Sequence, residues 1–380
     1  MTDLPIYTEE HTMFRMIIRE FVAAEMTPYV NEWDEAEEFP RGLYRKTGAV
    51  GMFGIGFDAE YGGLGHHDAV LLTILAEEVA RCAAGGVGAS LLSNYIGAPP
   101  IQNGGTDDVK GEILPGMLSG DLICALAITE PSGGSDVANL RTTAVRDGDD
   151  YIVNGSKTFI TSGMRADYVT TAVRTGGPGA SGVSLIVIPA TTPGFTRTPL
   201  KKMGWWCSDT ATLYFDDCRV PARYLLGEEN GAFQLIMENF NYERLFLIAG
   251  MVGASRVCYD EALAWARERI TFGARLSESQ VIRHKLVDMD RRINATRAWM
   301  EQLAYRVDQG DKPIAQLAEC KVQASLTMEF CAREASQILG GASYLRGNPV
   351  ERIYREVRVN AIGGGSEEIM RDLAARQLGI

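Results

Sequence analysis

The sequence lacks the features of an exported, membrane-spanning or nucleic-acid-binding protein. Its seven cysteines form no CxxC pair and are odd in number, so we expect reduced thiols and a cytoplasmic location. No apolar run approaches the ~18 residues that a membrane span needs. The chain begins with acidic residues and resembles neither a secretory signal nor a transit peptide. A formal net charge of −12 disfavours a nucleic-acid surface.

Histidine is also scarce, with four residues in the whole chain. His66 and His67 are adjacent, but the sequence suggests no third ligand near them, and zinc needs at least three protein ligands. We therefore predict no metal site. The composition is that of an ordinary globular protein. The 380 residues, 46% of them hydrophobic, suffice for two or three domains with a large core.

The hydrophobic periodicity changes twice along the chain. Helical spacing, as in Phe14, Ile17 and Phe21, extends to about residue 120. Short segments rich in β-branched and aromatic residues follow, separated by Gly, Pro and Asn, and they predict strands. The strand segments are DYIVNGSKTFITSG, DYVTTAVRT, VSLIVIPA and TATLYFDDCRV. The helical period then returns near residue 231.

These changes predict an α+β chain with three domains. The predicted domains are an all-α domain over 1–122, a β domain over 123–230 and a helical bundle over 231–380. The long helices of the bundle are predicted over 244–272, 278–309 and 313–340.

The first segment that indicates chemistry is AITEPSGGSD, residues 127–136. It follows an apolar strand and ends in a turn of small residues. Several backbone N–H groups converge in such a turn and can cradle a pyrophosphate. The hydroxyls of Thr129 and Ser135 add donors. The alternative is a turn that only connects two strands, and composition leaves both interpretations open.

A second segment, KTFIT at 157–161, pairs an aromatic ring with a hydroxyl. In an alternating strand Phe159 and Thr161 point to the same face. The ring would pack on a flat heterocycle, and the hydroxyl would donate a hydrogen bond to it. The pattern alone favours an ordinary amphipathic strand.

Glu243 stands out because it interrupts an apolar helical stripe. It follows Ile236 by seven residues and Phe240 by three. An unpaired carboxylate is costly to bury. Burial would raise its pKa, which suits a general base. Arg244 is either a pairing partner or a donor to a phosphate or amide, and a purely structural Glu–Arg pair is the alternative.

Three glycine-containing segments are candidate ligand sites. RITFG at 269–273 and QILGG at 337–341 are typical of helix C-termini. GGGSEEI at 363–369 is a glycine-rich turn before a helix, with Ser366 as the predicted N-cap. Helix N-termini after such turns bind anions. Each segment is equally compatible with ordinary capping.

Taken in order, these segments resemble the acyl-CoA dehydrogenase family over essentially the whole chain. ITEPSGGSD matches the family's TEPxxGSD flavin loop, and NGSKTFIT matches its NGxKxxIT strand. RITFG, Gln280, QILGG and GGGS follow at the family's distances. The resemblance implies an N-terminal helical domain, a middle β domain and a C-terminal four-helix bundle, with FAD between the last two.

The resemblance also assigns residues to ligands. The residues that it places around the flavin ring and phosphates are Thr129, Ser135, Phe159, Ile160 and Thr161. Those that it places on the ADP part, across a subunit interface of a homotetramer built as a dimer of dimers, are Arg269, Phe272, Gln280, Gln337, Gly340 and Gly341. Gly365, Ser366 and Glu368 are implied near the same cofactor. Ser135, Asn241, Arg244 and the backbone of Gly364 are implied along the CoA-thioester arm.

The chain departs from the family pattern at three positions. Phe159 stands where many members have tryptophan, and Ser343 replaces a usual glycine after QILGG. Gly364 stands where medium- and short-chain members carry the catalytic glutamate. Isovaleryl-CoA and long-chain dehydrogenases take the base from the bundle helix instead, where Glu243 matches. We expect Gly364 to leave room for a branched acyl group.

The reaction that the resemblance implies is the α,β-dehydrogenation of an acyl-CoA to the trans-2-enoyl-CoA. Glu243 would be the base, and the electrons would pass through FAD to an electron-transfer flavoprotein. The alternatives are an enoyl-CoA reductase or a flavin oxidase on the same fold, and a non-catalytic acyl-CoA-binding paralogue.

Overall fold

The computed structural model describes residues 6–380, which form thirteen α-helices and ten β-strands. The order of helices, then strands, then helices agrees with the predicted α+β architecture. The N-terminal helices are α1 (Glu9–Glu25), α2 (Val30–Ala36), α3 (Gly42–Ala49), α4 (Ala69–Ala80), α5 (Gly85–Leu91), α6 (Asn94–Gly97), α7 (Pro99–Gly104) and α8 (Asp107–Ser119).

Helix α4 is the centre of the N-terminal segment. Asp68 caps its N-terminus by accepting a hydrogen bond of 2.7 Å from the backbone N–H of Leu71. Its residues are buried on nearly every side, because Leu71 and Leu75 join the core of the N-terminal and β segments. Ile74, on another face, joins the core of the helical bundle. The helix therefore connects two hydrophobic cores.

The middle segment is a mixed sheet. Its strands are β1 (Cys124–Ala127), β2 (Thr143–Asp147), β3 (Asp150–Ile160), β4 (Tyr168–Arg174), β5 (Val183–Pro189), β6 (Phe195–Pro199), β7 (Ala211–Pro221) and β8 (Leu225–Leu226). The strand order is β6-β7-β3-β2-β4-β5-β8, and β1 pairs with β4 in parallel. The four strands predicted from the sequence are β3, β4, β5 and β7. Strand β1 is the apolar strand predicted before the loop of residues 127–136, whereas β2, β6 and β8 were not predicted individually because they are short.

The C-terminal segment is a bundle of long helices. They are α9 (Ala232–Glu268), α10 (Gln280–Asp308), α11 (Ile314–Leu339), α12 (Pro349–Asn360) and α13 (Glu367–Leu378). The predicted start of the first long helix at residue 244 is wrong. No glycine or proline interrupts the chain from Ala232 to Ala249, so the apolar stripe before Glu243 continues into one 37-residue helix.

The segment RITFG does not end a helix through its glycine, contrary to the prediction. Helix α9 ends at Glu268, and the chain turns back in a hairpin of β9 (Ile270–Thr271) and β10 (Ala274–Arg275). Phe272 and Gly273 form the tip with φ angles of +51° and +81°. Glycine is needed there because a two-residue hairpin turn uses left-handed backbone.

All seven cysteines are buried and unpaired. Over residues 6–380, no helix combines the length and apolar character needed to cross a membrane.

Candidate active site

Glu243 lies at the start of the fourth turn of α9 and lines a cavity of about 340 Å³ between that helix and the N-terminal helices. Within residues 6–380 no group donates a hydrogen bond to its carboxylate. Burial raises the pKa of Glu243 to about 7, although the nearby cations of Arg244 and Lys321 act in the opposite direction. A carboxyl with this pKa is suited to accept a proton near neutral pH.

The glycine-rich turn before α13 faces this carboxylate. A Cβ built on Gly364 would lie 3.9 Å from Glu243 Oε1. The same Cβ would collide with the Leu247 Cδ1 methyl group. The expectation that Gly364 leaves free volume for an acyl branch is therefore wrong, because Leu247, one helical turn after Glu243, occupies that space.

Lys321 on α11 holds the turn in place, and the sequence reasoning missed it. Its Nζ is buried and donates a hydrogen bond of 2.7 Å to the carbonyl of Gly365. Nearby, Ser325 Oγ donates to Glu367 Oε1 over 2.9 Å. Burial lowers the pKa of Lys321 to about 8, and Glu367 and Glu243 favour its charged form. The signal was a lysine at helical spacing from Leu317, Ala324 and Met328, which form the buried face of α11.

Arg244 does not form the structural pair with Glu243 that the sequence left open. Its Nη1 donates to Asn241 Oδ1 over 2.7 Å, and the guanidinium carbon lies 6.0 Å from the Phe240 ring centre. Its Nε is buried without a hydrogen-bond partner among the described residues. A buried guanidinium with a free N–H is suited to bind a carbonyl or an anion.

The loop that contains Thr129 is fixed by a buried ion pair. Lys157 is fully buried, and its Nζ donates to Ile128 O over 3.1 Å and to Glu130 Oε1 over 2.8 Å. The carbonyl of Thr129 accepts a hydrogen bond of 2.8 Å from the Thr158 N–H. Strand β3 thus contacts Thr129 and both of its neighbours, Ile128 and Glu130.

Phe159 interrupts the regular alternation of β3. The pairing of β3 with β7 is irregular between Lys157 and Ile160, and Phe159 has a φ of +59°. Its ring is 69% exposed, whereas Ile160 is buried. Thr161 lies beyond the end of the strand, so the predicted alternation of Phe159 and Thr161 is wrong. A bulky residue with positive φ is strained, and such strain is concentrated at functional sites.

The residues assigned to the ADP part lie at one end of the bundle. Arg269 follows α9, Gln280 begins α10, and Gln337 lies in the last turn of α11. All three are exposed, as are Gly340 and Gly341.

Phe272 is the most exposed side chain of this set, because none of residues 6–380 covers its ring at the hairpin tip. Glu243 and Arg269 are about 39 Å apart along the helix axis, at 1.5 Å per residue. The structure therefore does not bring this set to Glu243 within one chain.

The remaining predicted residues lie at helix ends and in loops. Ser343 Oγ lies 2.9 Å from the carbonyl oxygens of both Ser336 and Gly340, so its hydroxyl can donate to either one and caps the end of α11. Ser366 accepts a hydrogen bond of 3.4 Å from Ile369 N–H and is the N-cap of α13, as predicted. Ser135 and Glu368 are exposed.

Within the described part of the chain, no three His, Cys, Asp or Glu side chains are grouped to hold a metal ion. His67 stacks on Tyr242 with ring centres 5.5 Å apart.

Helical segments flank a mixed sheet, and the carboxylate of Glu243 faces a glycine-rich turn. This arrangement indicates a class of three-domain α+β enzymes, and comparison with known proteins assigns the chain to that class. Three sequence profiles match: "Acyl-CoA dehydrogenase, N-terminal domain" at residues 8–121, "middle domain" at 125–218 and "C-terminal domain" at 230–379. The rat protein "Long-chain specific acyl-CoA dehydrogenase, mitochondrial" is 36% identical over 377 residues, covering 98% of this chain and 87% of its own.

Solved structures agree. A probable acyl-CoA dehydrogenase from Mycobacterium abscessus is 43% identical with a TM-score of 0.96, covering 98% of this chain and 100% of its own. A chain of the structure named for the electron transferring flavoprotein of Acidaminococcus fermentans is 33% identical with a TM-score of 0.94, covering 100% and 99%. A glutaryl-CoA dehydrogenase from Mycobacterium smegmatis in complex with FADH2 is 26% identical with a TM-score of 0.92, covering 98% and 95%.

The chain belongs to the acyl-CoA dehydrogenase family of oxidoreductases.

Proposed function

We propose that this protein is an FAD-dependent acyl-CoA dehydrogenase that converts an acyl-CoA thioester to the trans-2-enoyl-CoA. The observation that carries the proposal is the position of Glu243. Its carboxylate lacks a hydrogen-bond donor within residues 6–380, lines a cavity and faces the turn at Gly364. A carboxylate in this position is free to take a proton from a substrate carbon.

The residues present fit a flavin between the sheet and the bundle. Thr129 and Thr161 would donate to it, Phe159 would cover it, and the buried Ile160 would anchor the strand end beneath it. The exposed side chain and the strained backbone of Phe159 support this assignment, because such strain is concentrated at functional sites. The solved relative with bound FADH2 supports the same cofactor class.

The chain's own residues would perform three tasks in the reaction. Glu243 takes the α-proton. The backbone N–H of Gly364 polarises the thioester carbonyl, and Lys321 keeps that turn in position. Arg244, Asn241 and Ser135 bind the CoA arm. A bound flavin supplies the two-electron oxidation, so that the β-hydrogen leaves with its electron pair while the Cα–Cβ double bond forms.

The proposed quaternary structure is a homotetramer, a dimer of dimers, in which each FAD contacts two subunits. The exposed set at the far end of the bundle supports it, because Phe272 and Gln280 lie too far from Glu243 to serve the same cofactor molecule within one chain. Gly365, Ser366 and Glu368 would lie near the cofactor at the start of α13.

We propose domain boundaries at 122/123 and 230/231, where the helices give way to strands and return.

The proposed electron acceptor is an electron-transfer flavoprotein. Its support is the family resemblance and the structural similarity to a chain in the electron transferring flavoprotein structure from Acidaminococcus fermentans.

The experiment that tests the proposal is anaerobic mixing of the purified protein with acyl-CoAs while the flavin absorbance is followed. We expect a yellow tetramer with about one FAD per chain, rapid bleaching by an acyl-CoA and release of the trans-2-enoyl-CoA. An electron-transfer flavoprotein should then restore the absorbance. A colourless protein that takes up no FAD contradicts the proposal and points to a non-catalytic paralogue. Turnover with oxygen indicates an oxidase, and turnover only towards the saturated acyl-CoA indicates a reductase.

A further inference from the structure

The cavity that begins at Glu243 extends away from the flavin segments. All of its lining residues belong to the N-terminal helices and loops, to α9, or to α10, α11 and the loop between them, and none belongs to the sheet. A thioester placed between Glu243 and the sheet would therefore direct its acyl tail into this cavity, away from the cofactor. The shape and polarity of the cavity then decide which acyl groups fit.

One wall of the cavity is aromatic, although Asp68 and Asn239 also line the cavity. Tyr95 stacks on Phe246 with ring centres 6.3 Å apart, and its other neighbour, Phe57, lies at 6.1 Å. The hydroxyl of Tyr95 donates to Met52 O over 2.7 Å and accepts from Ile55 N–H over 3.2 Å. Because that hydroxyl is already satisfied, Tyr95 presents only its ring to the cavity. A polar group on the acyl chain finds no partner among these rings.

The far end of the cavity has the opposite character. Lys312 and Glu238 form an ion pair of 3.5 Å with side chains 75% and 45% exposed, so the cavity reaches solvent there. Asn103 is exposed at the same rim. Gln102 donates from Nε2 to Asp58, which leaves its Oε1 buried and without a donor among the described residues. We call Gln102, Asn103, Glu238 and Lys312 the polar rim.

We infer that this cavity is an open-ended channel for acyl-CoAs whose chain is long enough to reach the polar rim and carries an uncharged hydrogen-bonding group, such as a hydroxyl, at its far end. The inference rests on the proposed function. A closed apolar cavity sets an upper limit on chain length, whereas this channel ends in solvent. The rim charges are paired, with Lys312 on Glu238, so a neutral terminal group meets Asn103 and Gln102 without breaking an ion pair. The distance from Glu243 to the level of Glu238 on α9 is between one and two helical turns.

The test measures kcat/KM for a series of straight-chain acyl-CoAs of increasing length, each with its ω-hydroxy counterpart. For chains that end among the aromatic rings, the hydroxyl should lower kcat/KM by roughly 5- to 150-fold, because a buried hydroxyl without a partner costs about 1–3 kcal/mol. For chains that reach the rim, the hydroxylated substrate should have a kcat/KM at least equal to that of the plain one, because its hydroxyl can donate to Gln102 Oε1. Further lengthening should not reduce kcat/KM sharply.

A rim variant localises the effect. Asn103→Trp should block the far end, lowering kcat/KM for long chains at least tenfold and leaving short chains unchanged. Asp108→Trp is the matched control, because this exposed residue of α8 is nearby in sequence but does not line the cavity. We expect no change in that variant.

The outcomes separate the two proposals. If short acyl-CoAs bleach the flavin but the ω-hydroxyl lowers kcat/KM equally at every length, or long chains are excluded, the open channel is wrong and the proposed function stands. If Asn103→Trp leaves long chains unaffected, the tail does not pass the rim and the inference is also wrong. If no acyl-CoA bleaches the flavin, both proposals fall.

Discussion

Two glutamates of this protein each lie near a different buried lysine, and yet their pKa values are shifted in opposite directions. Glu130, in the loop after β1, accepts hydrogen bonds from Lys157 Nζ, Arg141 N–H and Thr142 N–H at 2.6–2.8 Å. Burial opposes its ionisation, but the Lys157 cation and these hydrogen bonds lower the pKa of Glu130 to about 2. Glu243 accepts no hydrogen bond within the described residues, and burial raises its pKa to about 7.

The comparison shows how one residue type serves two purposes. A carboxylate whose lone pairs are occupied is fixed in its charged form and holds the loop that carries Thr129. A carboxylate with free lone pairs beside a cavity exchanges a proton at neutral pH. Lys157 contacts its glutamate directly, whereas Lys321 donates to the Gly365 carbonyl and acts on Glu243 only through space.

The largest effect is expected for Glu243→Gln. Glutamine keeps the shape but cannot take the proton, so the rate of flavin reduction should fall by ~10²–10⁴-fold while FAD stays bound. Stopped-flow bleaching with a good acyl-CoA measures it. Glu261→Gln is the control on the same helix, because this residue does not line the cavity, and its rate should stay near that of the natural enzyme. Near-normal bleaching in Glu243→Gln would move the base to another residue, with Glu368 the next candidate.

Glu130→Gln should mainly reduce stability. It leaves the Lys157 ammonium buried and unpaired, which costs about 3–5 kcal/mol. Thermal unfolding should show a clearly lower Tm and weaker flavin retention. The double variant Glu130→Gln/Lys157→Met should regain part of the loss, because it removes the unpaired charge. A Tm equal to that of the natural protein would show that Glu130 does not anchor the flavin loop.

Lys321→Met should impair the reaction without unfolding the bundle. It removes a charged hydrogen bond to Gly365, worth about 1.5–3 kcal/mol, and so loosens the turn that faces Glu243. The pH midpoint of flavin reduction should move upward, since a cation that lowers the pKa of Glu243 is lost. Lys285→Met, which removes the partner of Glu334 between α10 and α11, is the control. An unchanged midpoint would assign Lys321 a purely structural role.

The natural enzyme should reduce its flavin about tenfold more slowly for each pH unit below 7, because Glu243 must be ionised to act.

The two glutamates should affect stability with opposite signs. The lowered pKa of Glu130 gives stability that is present above its unfolded pKa and is lost as pH falls towards 2. The raised pKa of Glu243 gives stability that is lost as pH rises through 7. Urea unfolding of Glu130→Gln and Glu243→Gln across pH distinguishes them, and slopes of the same sign would refute the comparison.

The smallest effect is expected for Gly364→Ala. The φ of Gly364 is +66°, so alanine there costs about 1 kcal/mol, and its methyl group meets Leu247 Cδ1. We expect a small loss of Tm and slower flavin reduction. Adding Leu247→Ala should remove the collision and restore part of the rate, though not the backbone cost. If the single variant matches the natural enzyme, the close packing of Leu247 against the turn is not required.

The sequence by itself was sufficient for the order of elements, the family and the position of Glu243. Each depends on local pattern: the helical or strand period, the ordered motifs, and a carboxylate at a position of an apolar stripe where the neighbouring turns are buried. The N-cap at Ser366 was predictable for the same reason, because a cap depends on residues within one turn.

Other features required the tertiary structure. Lys321 and Gly365 are far apart in sequence, and only the packing of α11 against the last turn makes them partners. The methyl group of Leu247 fills the space beside Gly364 because α9 and that turn meet there, which no periodicity predicts. The bulge at Phe159 arises from the pairing of β3 with β7. A sequence pattern reflects the local conformation that neighbouring residues along the chain favour. A functional site is made of residues that only folding brings within contact distance.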